Sequence, residues 1–439
     1  MIQQSDFQSL GVAPILLTIL QKRGITTPTP IQHQSIQPAI AGKDIVGIAQ
    51  TGTGKTFAFG LPMLQRLAAG KGRGLVILPT RELALQVEEA LLPFATPLGI
   101  RMAVLIGGEP MSKQLLRIRR DPRIVIATPG RLNDHLERRS ITLKEVNILV
   151  LDEADRMFDM GFRPQIEQIL RHVSKDRQTM LFSATMPAEI MQLARGEMKL
   201  PLRIEVAPQG TTVKDVEQEL FMVQRNQKLP LLKSLLAEYH GTILVFSRTK
   251  HGAKKITTAV RAMGHSAAEI HSNRSLSQRK EALAGFKVGR YRVLVATDIA
   301  ARGIDVSGIE VVINFDLPDD PSDYVHRIGR TARAGRQGRA ISFATGEQHG
   351  SIRDIERLIR STIRRKPAPG LPGVAVQIGH YGQRAKSGEL PHVERVPESR
   401  DRFDDRPPRT GQRPSYPLRS GPRPPRRPGR GGRRSFGRR

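Results

Sequence analysis

Residues 49–56 read Ala-Gln-Thr-Gly-Thr-Gly-Lys-Thr and follow a short apolar run; further on, a second apolar run ends on Asp152, Glu153, Ala154 and Asp155. A glycine-bearing loop between a strand and a helix turns its N–H groups toward phosphate, and the helix N-terminus adds positive potential. Gly52 and Gly54 permit that turn, with Gln50, Thr51 and Thr53 between and before them. Lys55 is placed to reach the β- and γ-phosphates and the Thr56 hydroxyl to ligate Mg²⁺. The first glycine of the general pattern is Ala49 here, a small change. Asp152 is placed to hold Mg²⁺, directly or through water, and Glu153 to orient or deprotonate the attacking water. Alone, such an acidic pair is more often a solvated loop; with the phosphate loop upstream it reads as half of a nucleoside-triphosphate hydrolysis site. Transfer of the γ-phosphoryl also needs positive charge on the phosphate. Arg327, Arg330 and Arg333 recur at three-residue spacing, which on a helix puts them on one face. They serve either as arginine fingers in cis or as a solvated basic face, and spacing alone leaves both open.

Those residues need elements to hold them. Apolar runs at 45–48, 75–78, 103–106, 124–127, 148–151 and 180–182 alternate with amphipathic stretches such as 82–92. Such alternation predicts an α/β fold, a parallel sheet covered by helices. After a polar break at 207–212 a second series follows, at 243–246, 293–296, 311–314 and 340–343, with no phosphate loop of its own. The expected organisation is a nucleotide-binding domain over 1–207, a linker over 208–214, a second α/β domain over 215–365 and a tail over 366–439.

The tail stands out by composition. Residues 366–439 hold 13 Pro and 11 Gly, about a third of the stretch, a proportion typical of disorder. They also carry 18 Lys plus Arg against 6 Asp plus Glu, which is +12 of the chain's net +29 and leaves +17 on the rest. Both parts are basic, so a polyanionic partner is expected, and the arginine-rich tail reads as a flexible RNA-binding arm or as a solubilising linker. There are no cysteines, which excludes disulfides and thiolate metal sites. No apolar run approaches the ~20 residues of a membrane span, and the N-terminus lacks the pattern of a signal peptide. A cytoplasmic protein with no membrane partner is the expectation.

The ordered set of motifs over about residues 7–363 resembles the DEAD-box ATP-dependent RNA helicases of superfamily 2, of the bacterial RhlE-like kind. The resemblance implies two tandem RecA-like domains and ATP with Mg²⁺ as cofactors. Phe7 and residues 24–32, with Thr27 and Gln32, match the adenine-reading motif; Gln32 is implied on the adenine edge and Phe7 near the base. Ser183, Ala184 and Thr185 match the motif that couples hydrolysis to strand separation. Pro79, Thr80 and Arg81, then Gly107 and Gly108, then Thr128 and Arg131, match RNA-backbone contacts of the first domain. In the second, Arg248 and Arg279 fall in matching segments, Thr297 and Asp298 are implied to face RNA, and Asp305 the nucleotide. His326 opens the last motif, with Arg330 and Arg333 as the fingers. The sequence departs from the family pattern at three places: Ala332 stands where glycine is usual, Ser272 follows His271 in place of glycine, and Leu276 occupies a glutamine position.

The implied RNA contacts are Gly, Thr, Pro and Arg near strand ends, groups that suit phosphate and sugar and carry no base information. With aromatics at 4%, base-stacking platforms are disfavoured, so sequence-independent binding of RNA is expected. The function so read is RNA-stimulated ATP hydrolysis that closes the two domains and opens short duplexes or remodels ribonucleoproteins. The alternatives are an RNA chaperone or annealer that works through its tail with ATP as a release switch, and a DNA helicase, which the adenine-reading motif disfavours. Ribosome-assembly or RNA-decay proteins are compatible partners.

Overall fold

The computed structural model describes residues 6–49, 52–206, 216–298, 308–332 and 338–368. Gln50, Thr51, Asp305, Arg333, the expected linker and the tail beyond residue 368 lie outside the described residues.

The described chain builds two seven-stranded sheets, every pairing parallel. In the first lobe the strands are β1 (Ile45–Ile48), β2 (Arg73–Ile77), β3 (Met102–Leu105), β4 (Ile124–Ala127), β5 (Val146–Asp152), β6 (Gln178–Ser183) and β7 (Leu202–Glu205). In the second they are β8 (Val216–Met222), β9 (Ile243–Phe246), β10 (Ala267–Ile270), β11 (Val293–Ala296), β12 (Val311–Asn314), β13 (Gly338–Ala344) and β14 (Arg364–Lys366). The spatial orders are β3-β4-β2-β5-β6-β1-β7 and β10-β11-β9-β12-β13-β8-β14. Counted from its own first strand, each sheet has the same order, so the lobes are two copies of one RecA-like topology, and only the first carries a phosphate loop.

Covered on both faces, the central strands are continuously apolar, as parallel strands must be. All four residues of β1 are buried, and Gly47 is required because a Cβ there would sit 2.5 Å from the Phe182 ring on β6. Apolar clusters fill both faces of each sheet. Every crossover between neighbouring parallel strands sends the chain back, so the carboxyl ends of the strands share one edge, where α/β proteins place ligands.

The apolar runs read from the sequence all lie in strands, with ends shifted by a residue or two. Four strands were not read. β7 has one buried residue of four, β8 opens Val-Glu-Gln-Glu, β14 is Arg-Arg-Lys, and β10 is Ala-Ala-Glu-Ile. Their places come from neighbouring strands, as where Lys366 of β14 lies opposite Phe221 of β8 and its side chain forms an ion pair with Glu219, and not from their own composition.

One expectation is corrected. Arg327 and Arg330 do not share one helix, because helix Pro321–Ile328 ends between them. Gly329 caps it, tighter turn bonds follow from Arg330 N to Arg327 O (3.1 Å) and Thr331 N to Ile328 O (3.1 Å), and Ala332 takes φ +53°. A left-handed residue cannot continue a right-handed helix.

Candidate functional site

The chain between β1 and helix Lys55–Ala69 turns through Gly52 (φ +88°) and Gly54 (φ +92°), both left-handed conformations that favour glycine. A Cβ at Gly54 would strike the Gln32 amide, whose Nε2 donates to Gly54 O at 3.0 Å. Gln32 Oε1 accepts from Thr29 N (2.9 Å), completing a capping box on helix Pro30–Ile40. Gln32 therefore holds the loop's last turn with both ends of its amide. Phe7 is buried within the first lobe's core cluster, while Thr27 is exposed. Thr53 and Thr56 are half-buried beside the loop.

Lys55 lies under the loop, 5% exposed, with Nζ 2.8 Å from Glu153 Oε1 and 3.7 Å from Asp152 Oδ1. Asp152 is the last residue of β5, and Glu153 follows with φ +56°. Burial works to lower the Lys55 ammonium, but the carboxylates of Glu153 and Asp152 outweigh it and leave the group raised. Asp152 is pushed up to about 6, by burial first and by Glu153 next, against the pull of Lys55. The second partner of Glu153 is Arg156, fully buried, with Nε 3.1 Å from Glu153 Oε2.

Asp155 ties this strand end to the next. Its Oδ2 accepts from Ala184 N (3.0 Å), Thr185 N (2.8 Å) and Thr185 Oγ1 (3.1 Å), while its own N–H donates to Ser183 Oγ (3.1 Å). Asp155 and Arg156 were given no role in the sequence reading. The signal for Asp155 was its place within the acidic motif; Arg156 offered only its spacing of three from Glu153.

The second lobe faces this edge. Arg156, Ala184 and Thr185 from the first lobe line one cavity of about 490 Å³ together with Val325, His326 and Arg330 from the second. Arg330 is buried and donates from Nε to His326 O (3.1 Å). His326 Nδ1 lies 3.9 Å from Asp323. Arg327, missed as a positioning group, is fully buried and grips Asp298 through Nε (2.5 Å) and Nη2 (2.7 Å), with Nη1 on Asn314 Oδ1 and Asp316 O. Asp298, implied to face RNA, thus has its carboxylate engaged by Arg327.

The remaining residues gather at the strand ends near helix Arg81–Ala95. Thr80 caps that helix, its Oγ1 accepting from Leu83 N (3.3 Å), with buried Pro79 before it. The Arg81 guanidinium lies across Gly107 and Gly108, where a Cβ at Gly107 would come 2.9 Å from its Nη2. Arg131 donates to Glu109 O (3.2 Å), and Thr128 is the N-cap residue of helix Pro129–Glu137. Burial lowers the Arg81 guanidinium, and the like charges of Arg279, from the second lobe, and Arg131 add to that. Arg279 pairs with Glu82 at 2.9 Å across the lobes. Thr297 is half-buried at the end of β11. Arg248 stands apart, its backbone N on Asp316 (3.2 Å) and its guanidinium near Asp319.

Among the described residues no three His, Asp or Glu side chains cluster as a metal cage. Asp152 at the end of β5 and Thr56 in the first turn of helix Lys55–Ala69 offer two oxygens, the number from protein that suits a phosphate-bound Mg²⁺, whose shell water and substrate complete. No helix among the described residues is long and apolar enough to cross a membrane.

The model of the DEAD/DEAH box helicases matches residues 29–193, and that of the helicase conserved C-terminal domain matches residues 227–335. The chain belongs to the DEAD-box ATP-dependent RNA helicases. This helicase is 42% identical over 370 residues to the DEAD-box ATP-dependent RNA helicase CshA of Bacillus cereus, covering 84% of this chain and 70% of the relative. It is 41% identical to CshA of Bacillus subtilis over 83% of this chain and 74% of that one. Among solved structures, Saccharomyces cerevisiae Dbp5 bound to RNA and ADP BeF3 superposes with TM-score 0.75 at 29% identity, covering 83% of the helicase and 96% of Dbp5. Mss116p bound to ssRNA and AMP-PNP gives 0.77 at 27% identity, covering 83% and 80%. A DEAD box protein of Methanococcus jannaschii is more similar in sequence, 36%, yet gives only 0.51 over 82% of this chain and 99% of that one.

Proposed function

We propose that the two lobes close on one Mg²⁺-bound ATP and one RNA strand, and that closure completes the hydrolysis site. The observation that carries this reading is the shared cavity: Arg330 of the second lobe and Arg156, Ala184 and Thr185 of the first line the same space. From there a chain of contacts runs through Glu153 to Lys55.

Lys55 and the N–H groups around Gly52 and Gly54 would bind the β- and γ-phosphates. When phosphate oxygens replace Glu153 as partners of Lys55, Glu153, still held by Arg156, is released to orient the attacking water. Asp152 and Thr56 would hold Mg²⁺, which when bound neutralises developing charge on the phosphates. Arg330, with Arg333, would stabilise the transferring phosphoryl group. Asp155, bonded to the 183–185 segment, would report the state of the nucleotide edge to the lobe interface.

RNA would lie along Thr80, Arg81, Gly107, Gly108, Thr128 and Arg131, and across to Arg279 and Thr297. These groups meet phosphate and sugar, so binding is largely independent of sequence, and 2′-hydroxyl contacts would select RNA over DNA. A bent strand held by both lobes is incompatible with a regular duplex, so closure opens short duplexes locally. Residues 1–207 and 215–365 act as the two moving units, and the +12 tail adds RNA affinity.

Arg330→Ala tests this. RNA-stimulated ATP turnover should fall by about 10³-fold or more, as for other arginine fingers, with nucleotide affinity largely kept. Full RNA-stimulated turnover in that variant would overturn the closure reading.

A further inference from the structure

Helix Leu276–Lys287 of the second lobe reaches the first lobe along one face. Leu276, at its first turn, is half-buried and packs against the apolar cluster of the first lobe that includes Leu83, Ala84 and Val87 of helix Arg81–Ala95. One turn on, Arg279 and Glu82 form their ion pair, with side chains only 10% and 7% exposed. Lys280 opposes the upward push that burial gives Glu88 on the same partner helix. Positions 276, 279 and 280 have the three- and four-residue spacing of one helix face.

The ionic part of this contact is poorly aligned: Glu82 Oε1 and Arg279 Nε have no hydrogen-bond partner. A buried pair of that kind roughly breaks even against the cost of desolvating it. The apolar part has no such cost, since removing Leu276 from water is favourable outright. Against it works the repulsion among Arg81, Arg131 and Arg279, which the contact brings together.

We propose that Leu276 is a positioning residue for lobe closure. It is an apolar latch that seats the second lobe on helix Arg81–Ala95 and so sets how much RNA is needed to hold the lobes shut. The proposal rests on the RNA reading above. The RNA backbone relieves the repulsion among the three guanidinium groups, and the latch supplies attraction that does not depend on RNA. Weakening the latch should therefore appear as a demand for more RNA. Chemistry at the nucleotide should be unaffected, because Leu276 is not among the groups lining that site.

The test is ATP turnover by the full chain, measured against single-stranded RNA concentration at saturating ATP, for wild type, Leu276→Gln and Leu276→Met. Leu276→Gln should raise the half-saturating RNA concentration roughly fivefold, the scale of partly burying one apolar side chain. Plateau turnover and melting temperature should stay as in wild type, any RNA-free turnover should fall by a similar factor, and Leu276→Met should restore the wild-type curve. Wild-type half-saturation in Leu276→Gln, or a loss confined to the plateau, would overturn the latch. Wild-type turnover that ignores RNA altogether would overturn the RNA reading beneath it, and the two failures are told apart by the wild-type curve alone.

Discussion

Lys55 Nζ sits 2.8 Å from Glu153 Oε1, with both groups almost wholly buried. The residue expected to grip phosphate is thus held by the residue expected to activate water. In the proposed function, binding of the triphosphate would separate them, and that exchange would link substrate arrival to release of the base.

Lys55→Ala should show the linkage in two ways. ATP turnover should be lost. The nucleotide-free protein should also lose on the order of 3 kcal/mol of stability, because the variant takes the cation from buried Asp152 and leaves Glu153 with Arg156 alone. Urea unfolding without nucleotide measures the second effect; unchanged stability would mean that the pair contributes little to the fold.

Asp155→Asn should separate nucleotide binding from strand separation. Both Asp155 oxygens accept hydrogen bonds, Oδ1 from Arg156 N and Oδ2 from three donors at Ala184 and Thr185. An amide would set its NH₂ against donors at a cost of about 2 kcal/mol. ATP affinity should persist while duplex opening per ATP falls, read by a strand-displacement assay beside phosphate release.

The raised Asp152 carboxyl predicts a pH dependence. Protonated Asp152 cannot ligate a cation, so Mg²⁺-dependent nucleotide affinity should weaken as pH falls through about 6. Asp152→Asn should remove that slope. In the nucleotide-free protein the sign is opposite. A carboxyl raised above its ordinary 3.8 contributes stability that is fully present below that value and is lost as pH rises through about 6. Titration calorimetry at pH 5.5 and 7.5, with and without Mg²⁺, checks the first effect.

Ala332→Gly should stabilise the protein. Ala332 holds φ +53°, where an L-residue is strained and glycine is not. After the greater flexibility of unfolded glycine is counted, about 0.5–1 kcal/mol should remain, seen as a higher midpoint in thermal unfolding. A lower midpoint would mean that the methyl's packing against the second-lobe cluster outweighs the backbone strain.

The local geometry of the candidate site was legible: the turn through Gly52 and Gly54 and the helix that starts at Lys55 are written in adjacent residues. Gly52, Gly54, Lys55 and Thr56 are consecutive or nearly so, and a phosphate cradle is built from adjacent backbone N–H groups. Strands β1, β4, β9, β11 and β12 coincide with their apolar runs because a strand covered on both faces must be apolar throughout. β10 and β14 were not legible, since Ala-Ala-Glu-Ile and Arg-Arg-Lys become strands only beside neighbours that satisfy their backbone groups. The helix expected through Arg327, Arg330 and Arg333 shows the same limit, because spacing is silent about where a chain turns into the left-handed region at Ala332.

The sequence by itself determined the α/β class, most of the two series of strands, the glycine turn before helix Lys55–Ala69 and the acidic strand end, because each is written in contiguous residues with a local physical meaning. Only the tertiary structure decided that Lys55 rests on Glu153, that Asp298 is bound by Arg327, that Arg330 and Thr185 line one cavity, and that Leu276 lies against the other lobe. Those pairs are far apart along the chain. The first two meet because strands distant in sequence end at one edge of their own sheet, and the last two because the two lobes lie against each other, relationships that no stretch of residues encodes on its own.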